Sequence, residues 1–491
     1  VIEVRSKIVS FVLLALLAVL GVGLFGRARS EHTVTVPSAS PVTSAAPSAA
    51  PSASAVASTS AAPSTSAAPA NEDKGLGRAL RLTGLGWEPL APALLANGGL
   101  APKKDSELGK LGLEVSISVA DSPQSVERAL ARGGADDDGA DVAILPLPAM
   151  IAAYERLQAL KPVVFFVTGW SRGRDVITAH EGLDKLPATG EVAVKGTADS
   201  AATALALFAL DAAGVSPSRV RLGERGDAKA SLRALRRAEL SDDERGDVIL
   251  GTSEANRYVP FVAIAPESLL DRHPKQVLEL VKGWLAGDEQ LAGDPSAAAR
   301  KISAMPDAPE PIALLSRLGE MQPASVAENA ELMALSGRDA VNVESLFQRM
   351  WRVAREAKLV AIPAPERAPI HTRVVTSLAR AEPSVARPDT GATPPKATAK
   401  ASTDKPILIE RLPSPFDSDV ATAEIGFLAG VFERSPIRVT AHRGAGADKK
   451  QTEELLGRTL DRYGLAEGRL SGGKSIPKGT ASVTIEVLPV P

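Results

Sequence analysis

Val163-Val164-Phe165-Phe166-Val167-Thr168-Gly169-Trp170-Ser171-Arg172-Gly173-Arg174-Asp175 is the stretch that decides the architecture. Its first half carries no charge and is rich in β-branched and aromatic side chains, which predicts a buried strand. Val176–Ala179 then reads as a second strand, so Thr168 to Asp175 is a tight connection from strand to strand. Gly169-Trp170-Ser171-Arg172-Gly173 matches the Gly-x-Ser-x-Gly pattern by letter, but a nucleophile elbow runs from a strand into a helix. Here both flanks are extended. The turn is expected to be a non-catalytic crossover between two lobes, with Trp170 able to cover a ligand and Arg172 or Arg174 able to pair with an anion.

Working outward, Leu80–Leu85, Leu113–Val119 and Asp141–Leu145 read as strands upstream. Ser122-Pro123 supplies an N-cap and a first-turn proline for a helix through Leu130, and Met150–Leu157 is helical. Downstream, Val192–Val194, Val220–Leu222, Val248–Leu250 and Val259–Ile264 are short strands, and Ala201–Ala213 is an alanine-rich helix ended by Gly214. Strands alternating with helices predict an α/β fold with mostly parallel sheets. Arg233, Arg236 and Arg237 have the spacing of an exposed helix face. Judged against usual α/β unit lengths, the segment between Leu222 and Val259 is expected to be short by about one strand and its ligand-facing loop. From Pro274 onward the pattern is helical, with core-facing stripes at Val277, Leu278, Val281, Trp284, Leu285 and again at Val343, Leu346, Phe347, Met350, Trp351 and Ala354.

Composition narrows the function. The 491 residues have a net charge of −2 and 3% aromatic content, which argues against a nucleic-acid partner. The absence of cysteine excludes disulfides, thiolate metal sites and a cysteine nucleophile. The five histidines form no His-x-x-x-His pair. Gly468–Ser475 spells a phosphate loop by letter but lacks the strand before and the helix after it. Asp136-Asp137-Asp138 sits among glycines and reads as a solvated loop. No cofactor and no enzyme activity are expected.

The ends carry their own message. After a short basic N-terminus (residues 1–7), the apolar run within 8–26 is long enough at ~1.5 Å per residue just to span a hydrocarbon core, so it reads as an inner-membrane anchor, a cleaved signal segment being the rival. Residues 27–76 are largely Ser, Ala, Pro, Thr and Val and read as a disordered tether; residues 381–405 read as a second linker. Residues 406–491 form a small α+β unit, with helices near Val420–Phe432 and over Thr452–Tyr463 and strands at Ile437–Ala441 and Ala481–Leu488. In the main body, Lys195-Gly196-Thr197-Ala198-Asp199-Ser200 joins a strand to a helix. Its glycine and helix-start N–H groups suit an anion, with Thr197 or Ser200 as hydroxyl donor.

Gly86-Trp87-Glu88-Pro89-Leu90 through Leu100, the Val163–Asp175 run, Gly196-Thr197 and Pro266-Glu267-Ser268-Leu269-Leu270 leading into Trp284, taken in order, resemble the type-2 periplasmic binding proteins, in the branch serving nitrate, sulfonate and taurine ABC importers. The resemblance implies a bilobed body over 77–380, with lobe 1 at about 77–170 and 260–380, lobe 2 at about 175–255, and a ligand cleft closed by a hinge. It implies that Trp87, Trp170, Ser171, Arg172, Thr197 and Ser200 face a small, anionic solute, and that an ABC permease is a partner. Leu145-Pro146-Leu147-Pro148 departs from the small, polar residues usual after the third strand. The tail resembles an OmpA-like peptidoglycan-associated domain through Ile437–His442, the Thr452–Tyr463 helix and Gly468-Arg469-Leu470. That resemblance implies Arg458 as the arginine on peptidoglycan, but Ala441-His442-Arg443-Gly444 lacks the family's aspartate. Two functions follow from these expectations: a periplasmic solute receptor, acting with an importer or as a sensor, and a non-enzymatic envelope scaffold whose two folds have lost their ligands. Catalysis of the kind known in some relatives would need a cleft histidine, for which only His180 is near.

Overall fold

The computed structural model describes residues 75–179, 182–186, 189–223, 231–242, 247–337, 340–381, 405–413, 415–443, 446–466, 468–474 and 481–490. The expected anchor at 8–26, most of the tether, nearly all of the 381–405 linker and His180 lie outside them. Among the described residues, no helix is long and apolar enough to cross a membrane.

Two sheets of opposite-running and parallel strands make up the main body. The first contains β1 (Leu80–Leu85), β2 (Val115–Ala120), β3 (Val142–Pro146) and β4 (Pro162–Ser171). The second contains β5 (Asp175–Thr178), β6 (Val192–Lys195), β7 (Val220–Gly223), β8 (Leu232–Arg236) and β9 (Val248–Gly251). The chain then returns to the first sheet with β10 (Pro260–Pro266) and adds a short edge strand, β11 (Met321–Pro323). The orders are β11-β4-β10-β3-β1-β2 and β7-β6-β8-β5-β9.

One rule generates both orders. In each sheet three successive strands, β1 to β3 in the first and β6 to β8 in the second, run parallel in the order second, first, third. The strand that has just crossed from the other sheet then inserts antiparallel, between the third strand and the one that departs. This repeated order is the type-2 periplasmic-binding-protein arrangement, built as two α/β lobes.

The helices follow from local chemistry. Ser122 caps α2 (Pro123–Arg132) by accepting from the Ser125 N–H, with proline in the first turn, as the sequence predicts. α1 (Trp87–Asn97) begins at Gly86, whose φ of 85° favours glycine, and ends on the left-handed Gly98. α3 (Leu147–Leu157) packs near α4 (Ala201–Ala212), the alanine-rich helix of the second lobe. α5 (Pro274–Gly293) lies against α1 so closely that a Cβ on Gly287 would fall 1.9 Å from the Pro92 carbonyl oxygen. α6 (Val343–Glu356) buries Leu346, Phe347, Met350 and Trp351 on one face, the stripe read from the sequence.

The segment between Leu222 and Val259 corrects an expectation. It is not short of a strand: Leu232–Arg236 is β8, paired with β5 on one side and β6 on the other. Arg233 and Arg236 are strand residues rather than a solvated helix face, and Arg237 opens the short 3-10 turn that follows. Their three- and four-residue spacing imitates a helix, whereas strand formation here depends on neighbours distant in sequence.

The C-terminal module has its own sheet. β12 (Leu408–Pro413), β13 (Ile437–Arg443), the two-residue β14 (Gly446–Ala447), β15 (Leu470–Gly472) and β16 (Ala481–Val487) pair in the path β12-β16-β13-β14, with β15 parallel to β13. α7 (Ser418–Val431) and α8 (Lys449–Tyr463) accompany it, capped by Asp417 and Asp448.

Candidate functional site

The two crossovers between lobes are tied to each other. Only Arg172, Gly173 and Arg174 separate β4 from β5. Ser171 donates through its hydroxyl to Asp175 Oδ2 at 2.6 Å, and its backbone N–H donates to the Val259 carbonyl at 3.0 Å. Thr252 Oγ1, on the returning crossover, accepts from the Gly173 N–H at 2.9 Å and lies 2.8 Å from Ser171 Oγ. The buried Thr252 hydroxyl thereby satisfies the Gly173 and Asp175 N–H groups where the chain changes lobes, and the Ser171 hydroxyl ties it to the Asp175 carboxyl.

A cleft of about 710 Å³ opens beside these crossovers. Its walls differ in kind. The first lobe contributes Leu85, Pro123, Pro146 and Phe261, none of them charged. The second lobe and the crossover contribute four cations, Arg174, Lys195, Arg233 and Arg236, together with Asp175, Asp199, Glu239, Thr197 and Ser200, and the apolar Ala198, Ala201, Leu222, Ala234 and Leu235. Four positive groups therefore face three carboxyl groups. At the rim, Gln124 of α2 donates through its amide to the Asp199 carboxylate, so the lobes touch across the mouth.

The cationic groups are held by specific neighbours. Arg174 is only 5% exposed; its guanidinium lies 5.3 Å from the centroid of the Phe261 ring, and Nη1 lies 3.8 Å from Met321 Sδ. Burial pulls the Arg236 guanidinium below its usual pKa; Arg174 adds repulsion, while Asp175 pushes the other way. Burial raises the Asp175 carboxyl, against the attraction of Arg174 and the Ser171 hydrogen bond. Burial likewise raises Glu320, with Arg174 opposing. The wall thus concentrates positive charge beside an acid whose ionised form is disfavoured.

The start of α4 completes the wall. Asp199, Ser200 and Ala201 line the cleft, and the Ser200 side chain makes no capping bond of its own. The helix thereby presents its first N–H groups and the positive end of its dipole to the cavity. Gly196 is required just before it, since a Cβ there would fall 2.4 Å from Thr203 Oγ1.

The residues singled out from sequence separate into two groups. Thr197 and Ser200 line the cleft. Trp170, Ser171, Arg172 and Trp87 do not, which corrects the expectation that they face it. Trp170 is 1% exposed, its backbone paired between β10 and β11. Ser171 is fully buried in the crossover network, a placement that also gives the Gly-x-Ser-x-Gly match a structural role. Arg172 is exposed and turned away from the cavity, its backbone N–H bonded to the Glu320 carbonyl. Trp87 begins α1 and packs its partly buried ring on the core. The alternation of β4 and β5 through a three-residue connection sends Arg174, not Arg172, inward. Lys195 belongs to the strand-to-helix segment that the sequence singles out, whereas Arg233 and Arg236 line the cleft without having been expected there. For Arg233 and Arg236 the available signal was a pair of arginines in a segment otherwise able to form a strand.

In the C-terminal module, Arg458 is half exposed and already paired, 3.0 Å from Glu454 and 3.6 Å from Asp419. His442 is buried, with Nε2 3.1 Å from Thr484 Oγ1. The next residue, Arg443, is exposed and lies 3.6 Å from Asp448.

No family model and no curated protein matches the chain. Solved structures do. The periplasmic aliphatic sulphonate binding protein SsuA from Escherichia coli is 16% identical, with a TM-score of 0.42 over 58% of this chain and 89% of that one. The periplasmic nitrate-binding protein NrtA from Synechocystis PCC 6803 is 13% identical, with a TM-score of 0.38 over 60% and 92%. A ligand-binding component of an ABC-type import system from Staphylococcus aureus is 11% identical, with a TM-score of 0.41 over 61% and 98%.

Proposed function

We propose that this chain is a non-enzymatic solute-binding protein whose interlobe cleft holds a small organic anion, the acid group on the second lobe and the apolar body on the first. The carrying observation is the asymmetry of the cleft: arginines and a helix N-terminus on one side, Leu85, Pro123, Pro146 and Phe261 on the other. An anion gains charge-assisted hydrogen bonds from Arg174 and Arg236, and Thr197 and Ser200 add neutral donors. In this reading residues 8–26 hold the protein at the inner membrane with its bulk in the periplasm, where it serves an ABC permease or acts as a sensor. The C-terminal module is read as OmpA-like, a reading supported by its strand and helix order. Peptidoglycan would have to displace Glu454 and Asp419 from Arg458.

A specific observation supports the scaffold as a second reading. Asp199 and Glu239 stand in the same wall as the four cations and offset part of their charge, with the Asp175 carboxyl beside them. A thermal-shift panel on the full chain separates the two, using nitrate, alkylsulfonates, phosphonates and amino acids. The receptor reading expects one anionic class to raise Tm progressively with concentration, by about 2.7 kcal/mol of stabilisation at a hundredfold excess over Kd. A flat panel leaves the scaffold.

A further inference from the structure

The C-terminal module does not sit apart from the two lobes. It holds the main body at three places. On the returning crossover, Arg257 donates its backbone N–H to the Val431 carbonyl at 3.1 Å and places its guanidinium 3.1 Å from Glu433, while Asn256 donates to Glu433 at 3.1 Å. On the second lobe, Phe208 of α4 stacks on Tyr258 at 4.4 Å and meets Phe427 and Phe432 of the module at 6.3 and 6.1 Å, all four rings buried. On α6, Arg349 forms a two-pronged ion pair with Glu424 and stands 4.0 Å over the Phe427 ring.

These anchor points belong to different parts of the body: α4 to the second lobe, α6 to the helices packed on the first, and residues 256–258 to the returning crossover. α4 carries Ser200 at its cleft end and Phe208 at its module end, so it is a rigid rod from the ligand wall to the module. α6 packs on the first lobe, where Tyr154 of α3 meets Phe347 and Trp351 at 6.3 and 5.4 Å, and it also meets α4 directly, with Arg352 2.5 Å from Asp211, so the module adds to a contact the two helices already make. Asn256, Arg257 and Tyr258 lie in the hinge itself, between β9 and β10. Rotation of one lobe against the other must either carry the module with one partner or break its hold on the other. Packed aromatic clusters and buried ion pairs have discrete arrangements and do not stretch.

From this placement we propose that the C-terminal module is a brace fixed across the hinge, limiting the angle between the lobes. The cleft and the module are then linked. Whatever loosens the module changes the range of cleft openings, and a change in the cleft is passed along α4 to the module.

The test needs no solute, so it can fail while the binding reading stands. The chain has no cysteine, so spin labels can be placed at Arg132→Cys on α2 and Ser218→Cys in the second lobe, both exposed. In the full chain, pulsed electron–electron resonance is expected to give one narrow distance distribution. In the Phe427→Ala/Glu433→Ala background the distribution is expected to widen beyond the spread of the labels, with faster hydrogen exchange over residues 418–431. An unchanged distribution alongside faster exchange overturns the brace, because the module has loosened without effect on the hinge. No change in either readout overturns it too, because the interface then does not depend on these contacts. If the double variant fails to fold, Glu433→Ala alone is scored on the same two readouts; it removes only the partly exposed pairing with Arg257 and Asn256.

Discussion

The two walls of the cleft come from lobes built by the same strand rule, yet one is uncharged and the other carries every charged side chain of the lining. The first lobe closes its side with Leu85, Pro123, Pro146 and Phe261; the second closes its side with Arg174, Lys195, Arg233, Arg236 and the start of α4. A shared topology therefore fixes where the cleft lies, between strand ends and helix starts, but leaves its chemistry to a few side chains at the strand ends. The same residues explain why the site tolerates carboxylates. Asp175 is buried among arginines and bonded to Ser171, so it organises the hinge as well as lining the cleft.

The contrast is broken most severely at the charged wall. Replacing Arg174 and Arg236 together by alanine removes two charged donors worth about 1.5–3 kcal/mol each, so anion affinity measured by calorimetry is expected to fall on the order of a thousandfold. An equal loss for a neutral analogue of the same shape would mean that the wall acts by packing rather than charge.

At the apolar wall, Phe261→Ala is expected to weaken an anion with an alkyl body by roughly tenfold, the worth of burying part of a side chain. Nitrate, which has no such body, should change by less than about threefold. A large loss for nitrate would show that the ring matters chiefly as the support of Arg174.

Asp175→Asn sharpens the electrostatic side. Burial raises the native pKa of Asp175, so the folded state holds that proton more tightly than the unfolded chain. The associated stability is complete below the unfolded value and is lost as pH rises through the native one. The asparagine variant should therefore gain in Tm over the parent as pH climbs from about 4 toward neutrality. It should also bind anions more tightly, since the competing charge is gone. A Tm difference that shrinks over that range contradicts the assignment. The smallest effect belongs to Thr197→Ala, where loss of one neutral hydroxyl is expected to weaken binding by about threefold, read from the same titration.

Much of this architecture was legible where pattern is local. Leu80–Leu85 emerges as β1 with the expected bounds, and the Ser122-Pro123 cap starts α2 where its chemistry requires. Phe165 and its neighbours declare a buried strand by composition alone. The candidate site was legible only at the turn before α4, because glycine, hydroxyls and a helix start share one short segment. Arg174 and Arg172 could not be told apart, since a three-residue crossover hides which side chain points inward. β8 was hidden because its arginines imitate a helix face and its pairing with β5 and β6 joins segments far apart in sequence. The brace was hidden for the same reason on a longer scale. Phe208 reads as core of its own helix, and only the fold brings it to Phe427 and Phe432.

The division of labour between the walls is tested most directly by a crystal structure of the full chain grown with the panel anion that most raises Tm. The acid group is expected within hydrogen-bond distance of the Arg174 and Arg236 guanidinium groups, with the body of the ligand against Phe261 and Pro146. An anion whose acid group rests on the first lobe, or binds outside the cleft, would contradict it.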